Sequence, residues 1–216
     1  NYFSYANTTG KGIIDKNRLS KHNITFRETS VMFNNRLKLD GNVNLMRQVS
    51  KNKPTVGGFY MNPLVGLYRF PRGEDLSYYR DNFEMYDESR NLNIQNWHTS
   101  YEDFEQNPYW ITNRIQTKEV RMHAIVSLSA NLQVNDWLTV QARGNVDCID
   151  DKVRQKFYAS TAPALAGANG RYLEMDYQDL QFYGDLMLMM KKKWGDFSVN
   201  GAFGGSITDK LSLIHI

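Results

Sequence analysis

The stretch SANLQVNDWLTVQARGNVD, from Ser129 to Asp147, decides the fold because apolar and polar residues alternate along it. The alternation stops at Asn135-Asp136 and resumes at Leu138. Period-two alternation around a two-residue polar break predicts an antiparallel hairpin with one apolar face. That apolar face must contact either a protein core or lipid.

The same pattern recurs around Asn34-Asn35 and around Gly195-Asp196. No segment shows a sustained helical period. The sequence therefore predicts an all-β fold, an antiparallel up-and-down meander of about seven strands. The predicted strands lie near residues 1–8, 22–33, 36–49, 120–134, 137–158, 173–194 and 197–207.

The connections between these strands differ in length at the two ends of the meander. The three turns described above are tight, whereas the connections near 9–21, 50–119 and 159–172 are long. Successive connections of a meander alternate between its ends, so all tight turns fall at one end and all long loops at the other. Short turns opposite long loops are typical of an outer-membrane barrel.

Strand length and the polar faces also favour lipid. About eleven alternating residues extend roughly 36 Å at 3.3 Å per residue, which reaches about 25 Å when tilted by ~45°. Asn, Gln, Arg, Thr and Asp recur on the second face, and Arg143 shares it by parity. A polar face repeated over several strands suits a watery lumen, and the apolar face is then predicted to contact lipid.

Aromatic residues make up 13% of the chain, and some stand beside every tight turn. At one end of a barrel they would form a girdle at the membrane–water interface, where rings with polar edges are stable. The alternative is that they cap a soluble core. The predicted interfacial girdle consists of Phe33, Trp137, Trp194 and Phe197.

Four stretches resemble SusC/RagA-type TonB-dependent transporters of Gram-negative outer membranes. They begin with NYFSYANTTGKGIIDKNRLSKHNITFRET (1–29) and NPLVGLYRFPRG (62–73), and continue with EDFEQNPYWITNRIQ (102–116) and RQKFYASTAPALAGANGRY (154–172). The resemblance implies a plugged barrel of about 22 strands in outer-membrane lipid. It also implies energised import of glycans or oligopeptides, with a surface-exposed substrate-binding lipoprotein and the TonB complex as partners.

Parts of the family pattern are missing from the 216 residues. They contain no plug, no TonB-interacting segment and no carboxypeptidase-like extension. Residues 1–210 are therefore expected to be a partial receptor barrel that contacts TonB only through the missing plug. The last stretch, LSLIHI (211–216), resembles the translation of a transposon-based sequencing adapter and is expected to be non-native.

The long extracellular loop, 50–119, is where substrate binding is expected, because loops of this length tend to be functional. Aromatic rings offer flat faces to sugars, and carboxylates accept hydrogen bonds from hydroxyl groups. The candidate substrate-binding residues are Trp97, Tyr109 and Trp110. The alternative is that these rings pack the loop against itself and the lipoprotein. The aromatic residues of the loop are Phe59, Tyr60, Tyr68, Phe70, Tyr78, Tyr79, Phe83, Tyr86, Trp97, Tyr101, Phe104, Tyr109 and Trp110.

Other function classes find little support. The four histidines are scattered without metal-ligand spacing, and no catalytic constellation is present, so the sequence predicts no enzyme, no metal and no cofactor. A net charge of +3 without a basic stripe predicts no nucleic-acid partner. Two alternatives stay open: a soluble or surface-attached β-rich carbohydrate-binding module, and a passive porin.

Overall fold

A computed structural model describes residues 1–55, 57, 60–99 and 105–215. Seven long strands form one antiparallel sheet in the order β1-β2-β3-β6-β7-β8-β9, and β4 pairs with β5 in a separate hairpin. The predicted seven-stranded meander is confirmed. The elements are β1 (Tyr2–Lys11), β2 (Arg18–Met32), β3 (Leu37–Lys51), α1 (Pro63–Arg69), α2 (Leu76–Asp81), β4 (Glu84–Asp87), β5 (Leu92–Gln95), α3 (Pro108–Arg114), β6 (Ile115–Gln133), β7 (Leu138–Phe157), β8 (Arg171–Trp194) and β9 (Phe197–His215).

The hairpin between β6 and β7 has the register that its alternation predicts. Ala130 faces Ala142 and Leu132 faces Val140, so the apolar side chains share one face. The turn is fixed by Asn135, whose side-chain oxygen accepts hydrogen bonds from the two backbone N–H groups that follow Asp136, at 3.1 and 2.9 Å. Asparagine commonly builds such turns, which explains the two-residue polar break.

The first tight turn has a left-handed backbone. Phe33, Asn34 and Asn35 have φ values of 54°, 54° and 68°. Asparagine tolerates this region better than other non-glycine residues, which accounts for the Asn-Asn pair. Gly195 adopts φ 57° at the third tight turn, where glycine carries no steric cost.

The strands extend farther toward the long-loop end than the alternation indicates. β1 continues to Lys11, β2 begins at Arg18 and β6 begins at Ile115. β9 continues to His215, and its last residues pair with the first half of β8. Residues 211–215 thus lie in a strand, and their non-native origin stays a prediction.

The long connection between β3 and β6 contains three short helices, each too short to produce a sustained helical period in the sequence. α1 and α3 each begin with an Asn-Pro pair, Asn62-Pro63 and Asn107-Pro108. Each asparagine caps its helix, and each proline occupies the first helical position, where a missing N–H costs nothing. Among the described residues, no helix is long and apolar enough to cross a membrane.

The buried apolar residues lie at the long-loop end and not beneath the sheet. Ile111, Ile115, Phe157, Leu165 and Ala166 form one buried cluster, against which parts of the long loop pack. The apolar face of the sheet is exposed along its length: Leu128 is 59% and Leu186 is 54% accessible. Within the described chain, no second layer covers this face, which hereafter is the outward face.

Candidate functional site: the polar face and the folded loop

The opposite face of the sheet carries charge pairs that join neighbouring strands. Each pair couples a basic group to a carboxylate at hydrogen-bond distance, so the face holds charges of both signs. This surface is hereafter the polar face. Its ion pairs include Arg27–Asp40 at 2.8 Å, Arg143–Asp185 at 2.9 Å and Arg121–Asp151 at 2.6 Å, and His123 Nε2 lies 2.7 Å from the Asp147 carboxylate.

Uncharged hydrogen bonds lie between these ion pairs. Asn44 donates to the Thr25 hydroxyl at 2.8 Å, and Gln141 donates to Asn131 at 2.8 Å. Amides and hydroxyls can both donate hydrogen bonds to and accept them from the hydroxyl and amide groups of a polar solute, and carboxylates can accept them. The polar face is therefore chemically suited to line a hydrated passage.

Three buried amide side chains fix the long loop. The Gln106 side chain donates to the Tyr60 carbonyl at 2.8 Å and accepts from the Ala162 N–H at 2.8 Å. The Asn107 amide donates to two loop carbonyls, at 3.0 and 2.7 Å, and Gln95 donates to the Ser160 carbonyl at 2.8 Å. Buried amides with partners specify one arrangement, because each would be costly to leave unpaired. The loop is consequently tied to the 158–170 connection.

The α3 helix adds an aromatic anchor to the same junction. Trp110 is 1% exposed, and its indole Nε1 donates to the Thr161 hydroxyl at 3.2 Å. Next to it, Arg114 forms two hydrogen bonds of 2.7 Å with Glu84, and its guanidinium lies 5.0 Å from the centre of the Tyr158 ring. The β4–β5 hairpin, α3 and the 158–170 connection thus form one folded body.

A second aromatic cluster surrounds a buried carboxylate. Trp97 packs against Phe70 and His98, with ring centroids 5.2 and 4.8 Å apart. Glu105 is buried, and its carboxylate lies 2.9 Å from His98 Nε2 and 3.0 Å from Arg69 Nε. Removing Arg69 would leave the buried Glu105 carboxylate without its cationic partner, which is costly in a protein interior.

The three candidate substrate-binding residues have different environments. Trp97 is 9% and Trp110 is 1% exposed, so both rings pack inside the loop in this structure. Tyr109 is only half-buried. Substrate contact by any of the three stays a prediction. Phe59, Tyr101 and Phe104, which belong to the predicted aromatic set, lie outside the described residues.

Several loop carboxylates act as local caps. The Asp87 carboxylate accepts hydrogen bonds from the Ser89 hydroxyl and N–H at 2.6 and 2.9 Å, and these bonds hold its pKa below the ordinary value. Asp75 caps α2 through Ser77 in the same way, which also lowers its pKa. Burial, followed by a hydrogen bond to Glu74, raises the pKa of the Tyr79 phenol. The acidic residues thus order the loop.

The predicted girdle residues all lie at the tight-turn end and are exposed. Phe33 lies in the first turn, Trp137 beside the second, and Trp194 and Phe197 flank the third. Lys192 Nζ lies 5.5 Å from the Trp137 ring centre and 5.0 Å from that of Trp194. Their role at a membrane interface stays a prediction.

Sequence reasoning missed the buried amides and the Glu105 cluster, because polar side chains in a loop resemble solvated ones. One signal was available: the two Asn-Pro pairs, Asn62-Pro63 and Asn107-Pro108, mark helix starts at the two ends of the loop. The partners of Gln95 and Gln106 lie in residues distant in sequence, and they left no local signal.

Comparison with solved structures places this geometry in a known fold. The chain superimposes on the RagAB peptide importer in its open-open state with a TM-score of 0.58, at 14% identity over 96% of this chain and 23% of that one. It superimposes on the ferric-catecholate import receptor Fiu from E. coli K12 with a TM-score of 0.54, at 9% identity over 96% of this chain and 29% of that one.

The chain has the fold of TonB-dependent receptor barrels. It spans about a quarter of the length of these two barrels. No family model matches the sequence, and no curated protein matches it either. At such low identities the likeness describes the fold alone, and the meander corresponds to part of a larger barrel wall.

Proposed function

We propose that this chain forms part of the barrel wall of an outer-membrane, TonB-dependent importer of glycans or oligopeptides. The observation that carries the proposal is the difference between the two faces of the sheet. The outward face is apolar and uncovered, whereas the polar face is filled with paired charges and amides. A barrel in lipid with a hydrated interior requires this arrangement.

The folded loop supports import in preference to a carbohydrate-binding module. Trp97 and Trp110 pack inside the loop, whereas a sugar-binding platform needs exposed rings. The long loop lies at the end opposite the tight turns, where it would close over the extracellular mouth. We assign solute contact to the polar face and to Tyr109, and the girdle role to the exposed aromatics of the tight-turn end.

The partners in this proposal follow from the resemblance and the fold. A surface lipoprotein would dock on the folded loop, and TonB would act through a plug contributed by another part of the protein. RagAB, described as a peptide importer, favours oligopeptides as one substrate class. The surrounding lipid would contact the outward face.

The test uses the complete barrel protein that contains this chain, produced in a Gram-negative host. We expect it in the outer-membrane fraction, with a gel mobility that shifts on boiling, and we expect uptake of labelled oligopeptides or glycans that stops when TonB is deleted. Recovery in the soluble fraction would favour the binding module. Uptake that persists without TonB would favour the porin.

A further inference from the structure

A row of basic residues crosses the outward face near the long-loop end. Direct strand pairing places Lys11 opposite Arg18, Arg18 opposite Lys51, Lys51 opposite Lys118 and Lys118 opposite Arg154. All five side chains are exposed. These residues, hereafter the basic row, come from five strands, so no basic stripe is visible in the linear sequence.

The basic row lies in register with the apolar band. Six residues along each strand toward the tight turns, the same face presents Ile24, Leu45, Ala124 and Cys148 in one continuous row. Six residues correspond to about 20 Å along a strand. Between the two rows, the same face carries Val49 and Val120 together with the charged residues Arg47, Asp150 and Lys152. The basic row therefore lies beyond a mixed strip, on the side of the apolar surface where the membrane headgroups would lie.

The arrangement is electrostatically unfavourable without a counter-charge. Like charges directly opposite each other in a sheet destabilise it, and the basic row contains four such pairs in succession. Among the described residues, a carboxylate forms an ion pair with one member of the row: Glu174 lies 2.7 Å from Arg154. Asp176 lies on the same face, two residues along β8 from Glu174, and is paired with Lys152. Most of the positive charge of the basic row is therefore available for an external anion to neutralise.

A concave site of about 460 Å³ opens along the row. Lys51, Lys118 and Arg154 line it, together with Lys16 and Lys156 from above. Asn113, which accepts a hydrogen bond from the Lys16 ammonium, holds that side chain at the rim. A cavity lined by five cations can surround a phosphate group and the sugar or glycerol that carries it.

We propose that the basic row binds the phosphate-bearing headgroups of outer-leaflet lipids, whose acyl chains lie on the apolar band beneath. Basic residues at a membrane surface attract anionic headgroups, and apolar contact in register adds the acyl chains. A free phosphate would use the cations alone and would gain nothing from the apolar rows. The inference rests on the proposed membrane location.

The test compares lipid binding by the complete barrel in detergent, using native mass spectrometry. The probes are monophosphoryl lipid A, its dephosphorylated form and inorganic phosphate. The test variant is R18Q/K51Q/K118Q, which keeps the Arg154–Glu174 pair. The control variant is K21Q/K38Q/R72Q, which removes the same charge from the polar face and the loop.

We expect monophosphoryl lipid A to bind the test variant roughly 100-fold more weakly than the parent, since each cation near an anionic surface contributes about fivefold. The control should bind as the parent does. Thermal unfolding without lipid should show the test variant at least as stable as the parent, because repulsion is relieved, so weaker binding would not reflect misfolding.

Equal binding by the test variant would overturn the lipid site, and so would equal binding of the dephosphorylated form. Competition by equimolar inorganic phosphate would identify a free-anion site and overturn the lipid assignment. These outcomes can be distinguished from failure of the proposed function. If the complete barrel imports solute but its lipid binding does not depend on the basic row, the lipid site is wrong and the proposed import function stands.

Discussion

Trp110 and Thr161 are joined by a buried hydrogen bond that ties the longest loop to the 158–170 connection. The indole Nε1 lies 3.2 Å from the threonine Oγ1, and both residues are at most 2% exposed. Two segments separated by a full hairpin of the sheet thus meet at one contact. The loop is a folded body attached to the barrel wall, and this attachment can be tested directly.

The first prediction concerns that contact. Trp110→Phe should destabilise the folded loop by about 1–3 kcal/mol, because the Thr161 hydroxyl loses its partner and packing is reduced. Thr161→Val should cost about 1 kcal/mol. Native-state hydrogen exchange of the loop amides in the complete barrel would measure both. The double variant should show coupling of about 0.5–1.5 kcal/mol, whereas strictly additive costs would contradict the contact.

The second prediction concerns the close approach of α1 to the segment before α3. A Cβ atom added at Gly66 would lie 2.4 Å from the Gln106 carbonyl oxygen, so Gly66→Ala must displace backbone. We expect a loss of about 1–3 kcal/mol in loop stability, visible as faster limited proteolysis. Gly73→Ala is the matched control, since no atom beyond the adjacent residues lies within 4 Å of its Cβ position. Equal cleavage rates for the two variants would refute this packing.

A third prediction follows from the Asp87 cap of the β4–β5 hairpin. Its pKa is lowered in the fold, so its contribution is complete above the ordinary carboxyl pKa of 3.8 and is lost as the pH falls through the lower folded value. Amide exchange in residues 84–95 should therefore accelerate below about pH 4. Asp87→Asn, whose side-chain oxygen still accepts, should reduce this acceleration. If the parent and Asp87→Asn showed identical pH profiles of amide exchange, a group other than Asp87 would be responsible for the acceleration.

The strands of the sheet could be predicted from the sequence because one face is apolar and the other polar. Apolar residues such as Ala130 and Val140 occupy every second position of their strands, so the difference between the faces is visible in the sequence. The first residues of β6, from Ile115 onward, were not predicted as strand. Residues 116–119 (QTKE) lie beyond the apolar part of the strand and are polar on both faces. Alternation disappears there although the hydrogen-bonded ladder continues.

The folded loop was harder to predict. Helices of six or seven residues, such as α1 and α2, are too short to display a helical period. Aromatic content suggested binding, yet Trp97 and Trp110 pack inside the loop, since large rings supply the apolar area that a small body needs. The basic row was invisible because it forms only when five strands pair in register.

The proposed membrane location requires that the outward face contact lipid. The most direct measurement places arginine on each face of β8 in the complete barrel and determines unfolding free energies in lipid vesicles. Leu186→Arg on the outward face should destabilise by about 2–4 kcal/mol, whereas Gln181→Arg on the polar face should change stability by less than about 0.5 kcal/mol. If Leu186→Arg costs no more than Gln181→Arg, the outward face does not contact lipid and the account of a membrane barrel is wrong.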